Sequence, residues 1–386
     1  MPEHHHETRL RRLVQDMVNI YSPSGKEQEI TEYLFCLLQR QLEPYGCRIS
    51  LQPVDESRSN ILVETPGQPS ASPHPALDRM LFLGHIDTVP AYDIENYQLS
   101  PQGDLLYGLG TSDMKSGCAA MIEAFCRSSA AGDLPENTML ALVVGEEETG
   151  DGTLALLNEY RFHSALVAEP TGLIPCSRHY GYVEMLARAF GYRRHAAMSG
   201  RDTNAIRAML RFLLQIEDRV ELHEPDTVLN IRDLYSSESG FAVPDRCTAS
   251  VDLHLPPGID TVAYAERLRE FGSTVLEDSR CTAYELEFPT LADGYCLAED
   301  AQLLSQLRQV FTDSGLKWQP GAFTSHSDAN LLHAAGCSPV ILGPGELAKA
   351  HTRDEAVSYT QITAAADLYT RLLQQLRSDQ TSPDSD

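Results

Sequence analysis

The chain has 386 residues, 42% of them hydrophobic, enough to bury a large core and more than one simple domain usually holds. Acidic residues outnumber basic ones 55 to 30, and the resulting net charge of -25 repels nucleic-acid phosphates and anionic lipid, so neither nucleic acid nor a membrane is an expected partner. Nine cysteines without a C-x-x-C pair suggest neither a disulfide framework nor a cysteine zinc site.

The chain starts with a polar segment carrying His4, His5 and His6, which holds no signal-peptide apolar region. No stretch approaches the roughly 20 apolar residues of a membrane span, and the cytoplasm is the expected compartment. Leu10, Leu13, Val14, Met17 and Ile20 recur at helical spacing and predict a first helix, stopped by the turn signal Ser22-Pro23-Ser24-Gly25. Ser24 followed by Glu27 reads as a capping box opening a second helix that runs to about Leu42. Short apolar runs at 61–63, 80–83, 140–144 and 166–168, separated by helical patterns, predict buried strands of a mostly parallel sheet. The proline- and serine-rich stretch 66–75 reads as a loop.

From about residue 180 the pattern becomes strand, helix, two strands, helix and strand, then the alternating style resumes. The expected architecture is α/β: a catalytic domain with a mostly parallel central sheet flanked by helices, over 1–179 and 291–386, interrupted at 180–290 by an inserted α+β domain. The polar end, 378–386, is expected to be disordered.

Chemistry-bearing residues gather at predicted strand ends. The run 80–83 leads into Gly84-His85-Ile86-Asp87, the run 140–144 into Gly145-Glu146-Glu147-Glu148-Thr149-Gly150, and the run 166–168 into Glu169-Pro170. Asp113 stands between glycines at the start of a helix, and His351 follows Gly343-Pro344-Gly345. Open α/β sheets build their sites beyond the carboxyl ends of their strands, and two imidazoles with several carboxylates on one rim suit zinc. Acidic residues after strands also occur as ordinary helix starts, so it is the joint occurrence of these motifs in this order that carries weight.

Together these motifs resemble the metallopeptidase and deacylase family that includes acetylornithine deacetylase, succinyl-diaminopimelate desuccinylase, carboxypeptidase G and aminoacylase, over nearly the whole chain. The resemblance implies that His85, Asp113 and Glu169 bind one zinc ion and Asp113, Glu148 and His351 a second, with Asp113 shared and cobalt or manganese able to substitute. It also implies Glu147 as general base and Asp87 as the carboxylate orienting His85. The glutamate triplet leaves the register open between 146–147 and 147–148, and Thr149-Gly150 matches the family spacing in favour of Glu147 and Glu148. On that register Glu147→Ala is expected to abolish turnover while metal is retained.

In the inserted domain, Gly191-Tyr192-Arg193-Arg194-His195 followed by Asn204 resembles the family's lid motif. His195 is then the candidate oxyanion donor across a homodimer interface, the domain acting as lid and dimerisation unit. Asn204 and His254 are candidate substrate-binding positions. The chain departs from the family in carrying Phe241-Ala242-Val243-Pro244 where an Asn-Val-Val-Pro-like stretch is common, and His254 in place of an arginine. Planar bidentate carboxylate recognition is lost, which disfavours a dicarboxylate substrate. The expected reaction is removal of a small acyl group from an N-acyl amino acid, the alternative being a zinc exopeptidase, a dipeptidase or a carboxypeptidase acting on short peptides, with the same site.

Overall fold

A computed structural model describes residues 2–66, 79–199, 204–238, 240–279 and 281–381. The chain divides into two compact units. One comprises residues 1–177, 297–323 and 327–386, and the other residues 178–296 with 324–326. The division falls at 177/178 and 296/297, a few residues from the expected 179/180 and 290/291.

In the first unit the strands run in the order Arg48–Pro53, Ser59–Glu64, Thr138–Val143, Met80–His85, Ser164–Val167 and Ser338–Ile341. The last four are mutually parallel, while the first two add antiparallel strands at one side. Met80–His85 and Thr138–Val143 are buried at every position. That explains their unbroken apolar sequence, since strands covered on both faces show no alternation. The helices Lys115–Ala131 and Tyr359–Thr381 pack on each other, and Lys115–Ala131 also packs on Pro2–Asn19 and on the strand Met80–His85. Each aliphatic side chain removed from water in this way stabilises the unit by about 1.5–3 kcal/mol. No helix among the described residues is long and apolar enough to cross a membrane.

The second unit is an antiparallel sheet in the order Val228–Ser236, Arg246–Leu255, Gly181–Phe190, Ala283–Glu287, with the helices Ala205–His223 and Thr261–Asp278. Burial alternates strictly along Gly181–Phe190. Val183, Met185, Ala187 and Ala189 meet Phe212, Ile216 and Leu268 in one core, while the alternate residues face the other way. This is the period-two pattern of a sheet covered on one face.

Several local expectations change. The second helix spans Gln28–Leu42 with Glu27 at its N-cap and no side-chain cap bond, so Ser24 and Glu27 form no capping box. Ser24 lies too far upstream, and its hydroxyl donates instead to Asp87 Oδ2 at 2.7 Å. Residues 378–381 belong to the last helix rather than to a disordered tail. Gln306 Nε2 donates to Asp379 and Gln380 Nε2 to the Glu136 carbonyl, both at 2.8 Å, which hold that turn. Most of the loop expected at 66–75, residues 382–386, and the side chains of His4, His5 and His6 lie outside the described residues.

Candidate metal centre

Because the four central strands are parallel, their carboxyl ends reach one edge of the sheet. His85 ends Met80–His85, the glutamate triplet follows Thr138–Val143, Glu169 follows Ser164–Val167, and His351 lies in the segment after Ser338–Ile341. Asp113 stands just ahead of the helix Lys115–Ala131.

The structure brings His85, Asp113, Glu169 and His351 together. Nε2 of the buried His85 lies 3.1 Å from Asp113 Oδ1 and 3.8 Å from Glu169 Oε1. Nε2 of His351, a half-exposed side chain, lies 3.3 Å from Asp113 Oδ2 and 2.9 Å from Glu147 Oε2. The two oxygens of Asp113 thus face two different imidazoles. The donor atoms of His85, Asp113 and Glu147 lie within 4.8 Å of one another, as do those of His85, Glu146 and Glu169.

The register within the triplet differs from the expected one. Glu146 and Glu147 turn inward, with Glu146 Oε2 3.9 Å from His85 Nε2, whereas Glu148 is exposed. The amides of Thr149 and Gly150 both donate to the Gly145 carbonyl, closing a helix-like turn. Successive side chains in such a turn diverge by roughly 100°, so two neighbours can face one site and the third points away. Asp87 selects which two: its Oδ1 accepts from the amide of Glu146 at 3.3 Å and its Oδ2 from that of Glu147 at 3.1 Å. The same carboxylate lies 3.5 Å from Nδ1 of His85, whose Nδ1 is also 3.1 Å from the Asp87 carbonyl. Asp87 therefore contacts both the imidazole and the glutamate turn.

Electrostatics mark the cluster as over-supplied with negative charge. Burial pushes Glu146 and Glu169 well above the usual carboxylate range and Glu147 upward, and neighbouring carboxylates add to it, Asp328 and Glu147 at Glu146 and Asp113 at the other two. Burial would lower His351, but its bonds to Asp113 and Glu147 outweigh that and raise it to about 11. His85 is likewise raised against its burial by Asp113 and Asp87. Asp113 is held below its ordinary value, its burial outweighed by His351 and His85. Oxygen and imidazole donors crowded in a buried place with surplus negative charge suit divalent cations of the zinc type, and the residues present fit such ions.

The candidates of the second unit take other places. His195 is exposed and its Nδ1 accepts from the Ala197 amide at 3.2 Å. Asn204 caps the helix Ala205–His223, its Oδ1 accepting from the Arg207 amide at 3.2 Å. His254 lies beside Tyr182, with ring centroids 5.3 Å apart, and burial lowers its pKa, so it is neutral near pH 7 where an arginine would be charged.

Sequence reasoning missed Ser24, Asp328 and Glu355 as neighbours of the cluster and set Glu146 outside it. Asp328 is buried and accepts from Thr153 Oγ1 at 2.8 Å. Its place at the start of the helix Asp328–Ala334 reads as an ordinary helix start, and only its burial sets it apart.

Comparison with known proteins adds the family. Residues 81–375 match the peptidase family M20/M25/M40. An acetylornithine deacetylase of Edwardsiella ictaluri is 25% identical over 375 residues, covering 92% of this chain and 94% of that protein. Among solved structures, human carnosine dipeptidase 1 superposes with a TM-score of 0.77 at 14% identity, over 97% of both chains. A Bacillus subtilis protein described as a dinuclear metal binding peptidase of the M20 family superposes at 0.66 with 13% identity, over 96% of this chain and 98% of that one. The chain belongs to the peptidase family M20/M25/M40 and is a hydrolase acting on amide bonds.

Proposed function

We propose that the chain is a dinuclear zinc hydrolase that removes a small acyl group from an N-acyl amino acid. The observation that carries the metal reading is the placement of Asp113, with one oxygen toward His85 and the other toward His351. His85, Asp113 and Glu169 would hold one ion, and Asp113, Glu147 and His351 the other. When bound, such a pair supplies Lewis acidity to the scissile carbonyl and lowers the pKa of water. Glu146, partly buried beside both sets and held by no ion pair shorter than 3.9 Å among the described residues, is the group left to move the proton. As a carboxylate it accepts a proton from the attacking water, and it returns that proton to the amine nitrogen as the carbon–nitrogen bond breaks. The products are a carboxylic acid and a free amine.

The acyl-amino acid substrate is supported by the acetylornithine deacetylase relative and by the absence of a fixed cation at His254, which suits a substrate with a single carboxylate. A second reading, an exopeptidase with the same site, is supported by the likeness to carnosine dipeptidase 1. Zinc-loaded protein assayed side by side on N-acetyl amino acids and on dipeptides separates them. Turnover of the acetyl compounds is expected, and turnover of dipeptides alone rejects the deacylase reading.

We place the enzyme in the cytoplasm, on a sequence whose nine cysteines follow no disulfide framework, and as a homodimer formed through the second unit. The strand Val228–Ser236 is an edge of its sheet with Val228, Leu234 and Tyr235 exposed, and Leu210 and Leu214 are exposed on the helix Ala205–His223. Unpaired edges and apolar patches of that kind associate unless covered. His195, exposed near the end of this unit's sheet, is the proposed oxyanion donor. His195→Ala is expected to lower kcat about 10²–10³-fold, with metal content and the sedimentation of a dimer unchanged. A variant with full kcat, or a wild-type protein sedimenting as a monomer, rejects the assignment.

A further inference from the structure

The loop that carries Asp113 has almost no regular structure of its own, yet its backbone amides are collected by one residue. Glu355 Oε1 accepts from the amides of Ser112 at 2.8 Å and Asp113 at 3.1 Å, and its Oε2 accepts from that of Gly110 at 3.0 Å. Its own carbonyl accepts from the Gly108 amide at 3.1 Å. Four amides between residues 108 and 113 thus end on a single buried residue, 3% exposed.

The loop has little freedom to replace these bonds. Gly110 has φ +77°, and a Cβ there would come within 2.8 Å of Thr88 Cγ2 and 3.1 Å of Lys115 Cδ. Lys115 is itself pinned, its Nζ donating to the carbonyls of Met17 at 3.1 Å and Ile20 at 2.9 Å. The hydroxyl of Ser112 is used as well, donating to the Glu346 carbonyl and accepting from the Glu346 amide. Buried amides without partners cost free energy, so the Glu355 carboxylate decides where this stretch of backbone sits.

Glu355 also closes the segment that holds His351. It stands four residues after that histidine and immediately before the short strand Ala356–Ser358, whose Ala356 pairs with Tyr107. One residue therefore fastens the backbone of Asp113 to the chain segment of the imidazole that meets Asp113 Oδ2.

We infer that Glu355 is a positioning residue for the metal centre. Its carboxylate sets the direction of the Asp113 side chain and locks the Asp113 and His351 segments in register, so that both ions find their donors already in place. This rests on the dinuclear reading above. Glu355 is not among the residues assigned above to hold the ions.

The test uses cobalt(II) as probe with the full chain, comparing the wild type with Glu355→Gln, Glu355→Ala and a control, Val357→Ala. Glu355→Gln keeps the shape and one acceptor oxygen but turns an NH2 group toward the Gly110 amide. Val357→Ala removes buried apolar contact two residues away and leaves the carboxylate alone. Cobalt affinity is read by chelator competition, and hydrogen exchange of the amides of Gly110, Ser112 and Asp113 is read in metal-free protein at matched fractions folded. Glu355→Gln is expected to weaken cobalt binding about 10–100-fold, with Glu355→Ala at least as severe, and both should speed exchange at these amides. Val357→Ala should lower the melting temperature with neither change.

The inference is overturned if folded Glu355→Gln binds cobalt with wild-type affinity and wild-type exchange, or if Val357→Ala weakens cobalt binding by the same factor, which would make the effect general destabilisation. Wild-type protein that binds no divalent ion defeats the dinuclear reading itself, a result distinct from either of these.

Discussion

Stripping the protein of metal is expected to lower its melting temperature, and the loss should grow as the pH rises from 5 to 8. The cause is the surplus charge of the empty cluster. Glu146, Glu147 and Glu169 have folded pKa values above the unfolded value of about 4.3, and His351 is raised to about 11 from an unfolded value near 6.5. Between those limits the folded state holds more protons than the unfolded chain, so the stability of the metal-free protein falls as pH rises. Asp87 and Asp113 are lowered and act in the opposite sense, but only below about pH 4, and Lys115, lowered by burial to about 7, opposes the trend as one group against four toward pH 8. Metal binding needs the same groups deprotonated, so it strengthens as pH rises. The two slopes oppose each other, and the gap between loaded and stripped protein must open.

At a free metal concentration one hundred times Kd, each ion adds about 2.7 kcal/mol. Thermal melts at pH 5, 6, 7 and 8, in chelator and in excess zinc, measure the gap directly. Equal melting temperatures with and without metal at every pH would remove the basis for a metal centre, since His85 and His351 are too few to balance Asp113, Glu146, Glu147 and Glu169.

The second large effect separates the two registers of the glutamate triplet. Glu146→Gln is expected to cut kcat by about 10²–10⁴-fold while the protein keeps both ions, because a proton acceptor is lost and no donor to metal is. Glu147→Ala should lose one equivalent of metal, since Glu147 is the carboxylate in contact with His351. Glu148→Ala, at an exposed position, should change stability by no more than about 0.5 kcal/mol and leave turnover near wild type. Metal content by atomic emission and kcat for the three variants give a complete pattern. If that pattern is displaced by one residue, with Glu147→Ala inactive but metal-replete and Glu148→Ala metal-deficient, the register read from spacing alone is restored.

Why spacing and structure point to different registers is a physical matter. The distance from Thr149-Gly150 fixes where the turn ends, but which glutamates face inward depends on how the turn is rotated. That rotation is set by Asp87, about sixty positions away, accepting the amides of Glu146 and Glu147. The same holds for Ser24, whose hydroxyl finds Asp87 across 63 positions rather than an amide of its own helix. Glu355 reaches the amide of Asp113 across 242.

What the residues alone determine about this protein is therefore considerable. Unbroken apolar runs before His85, Glu146 and Glu169 announce buried parallel strands, and parallel strands put their carboxyl ends on one edge, so the meeting of His85, Asp113, Glu169 and His351 is legible from periodicity and motif order. The inserted α+β unit is legible from the change, near residue 180, to a pattern of strand, helix, two strands, helix and strand. Tertiary structure decides the rest. It chooses two glutamates of three, leaves His254 half-buried and neutral, and gathers the amides of the Asp113 loop onto Glu355. Each of those outcomes depends on a hydrogen bond or a loss of solvent involving residues distant along the chain, and local pattern carries no record of such partners.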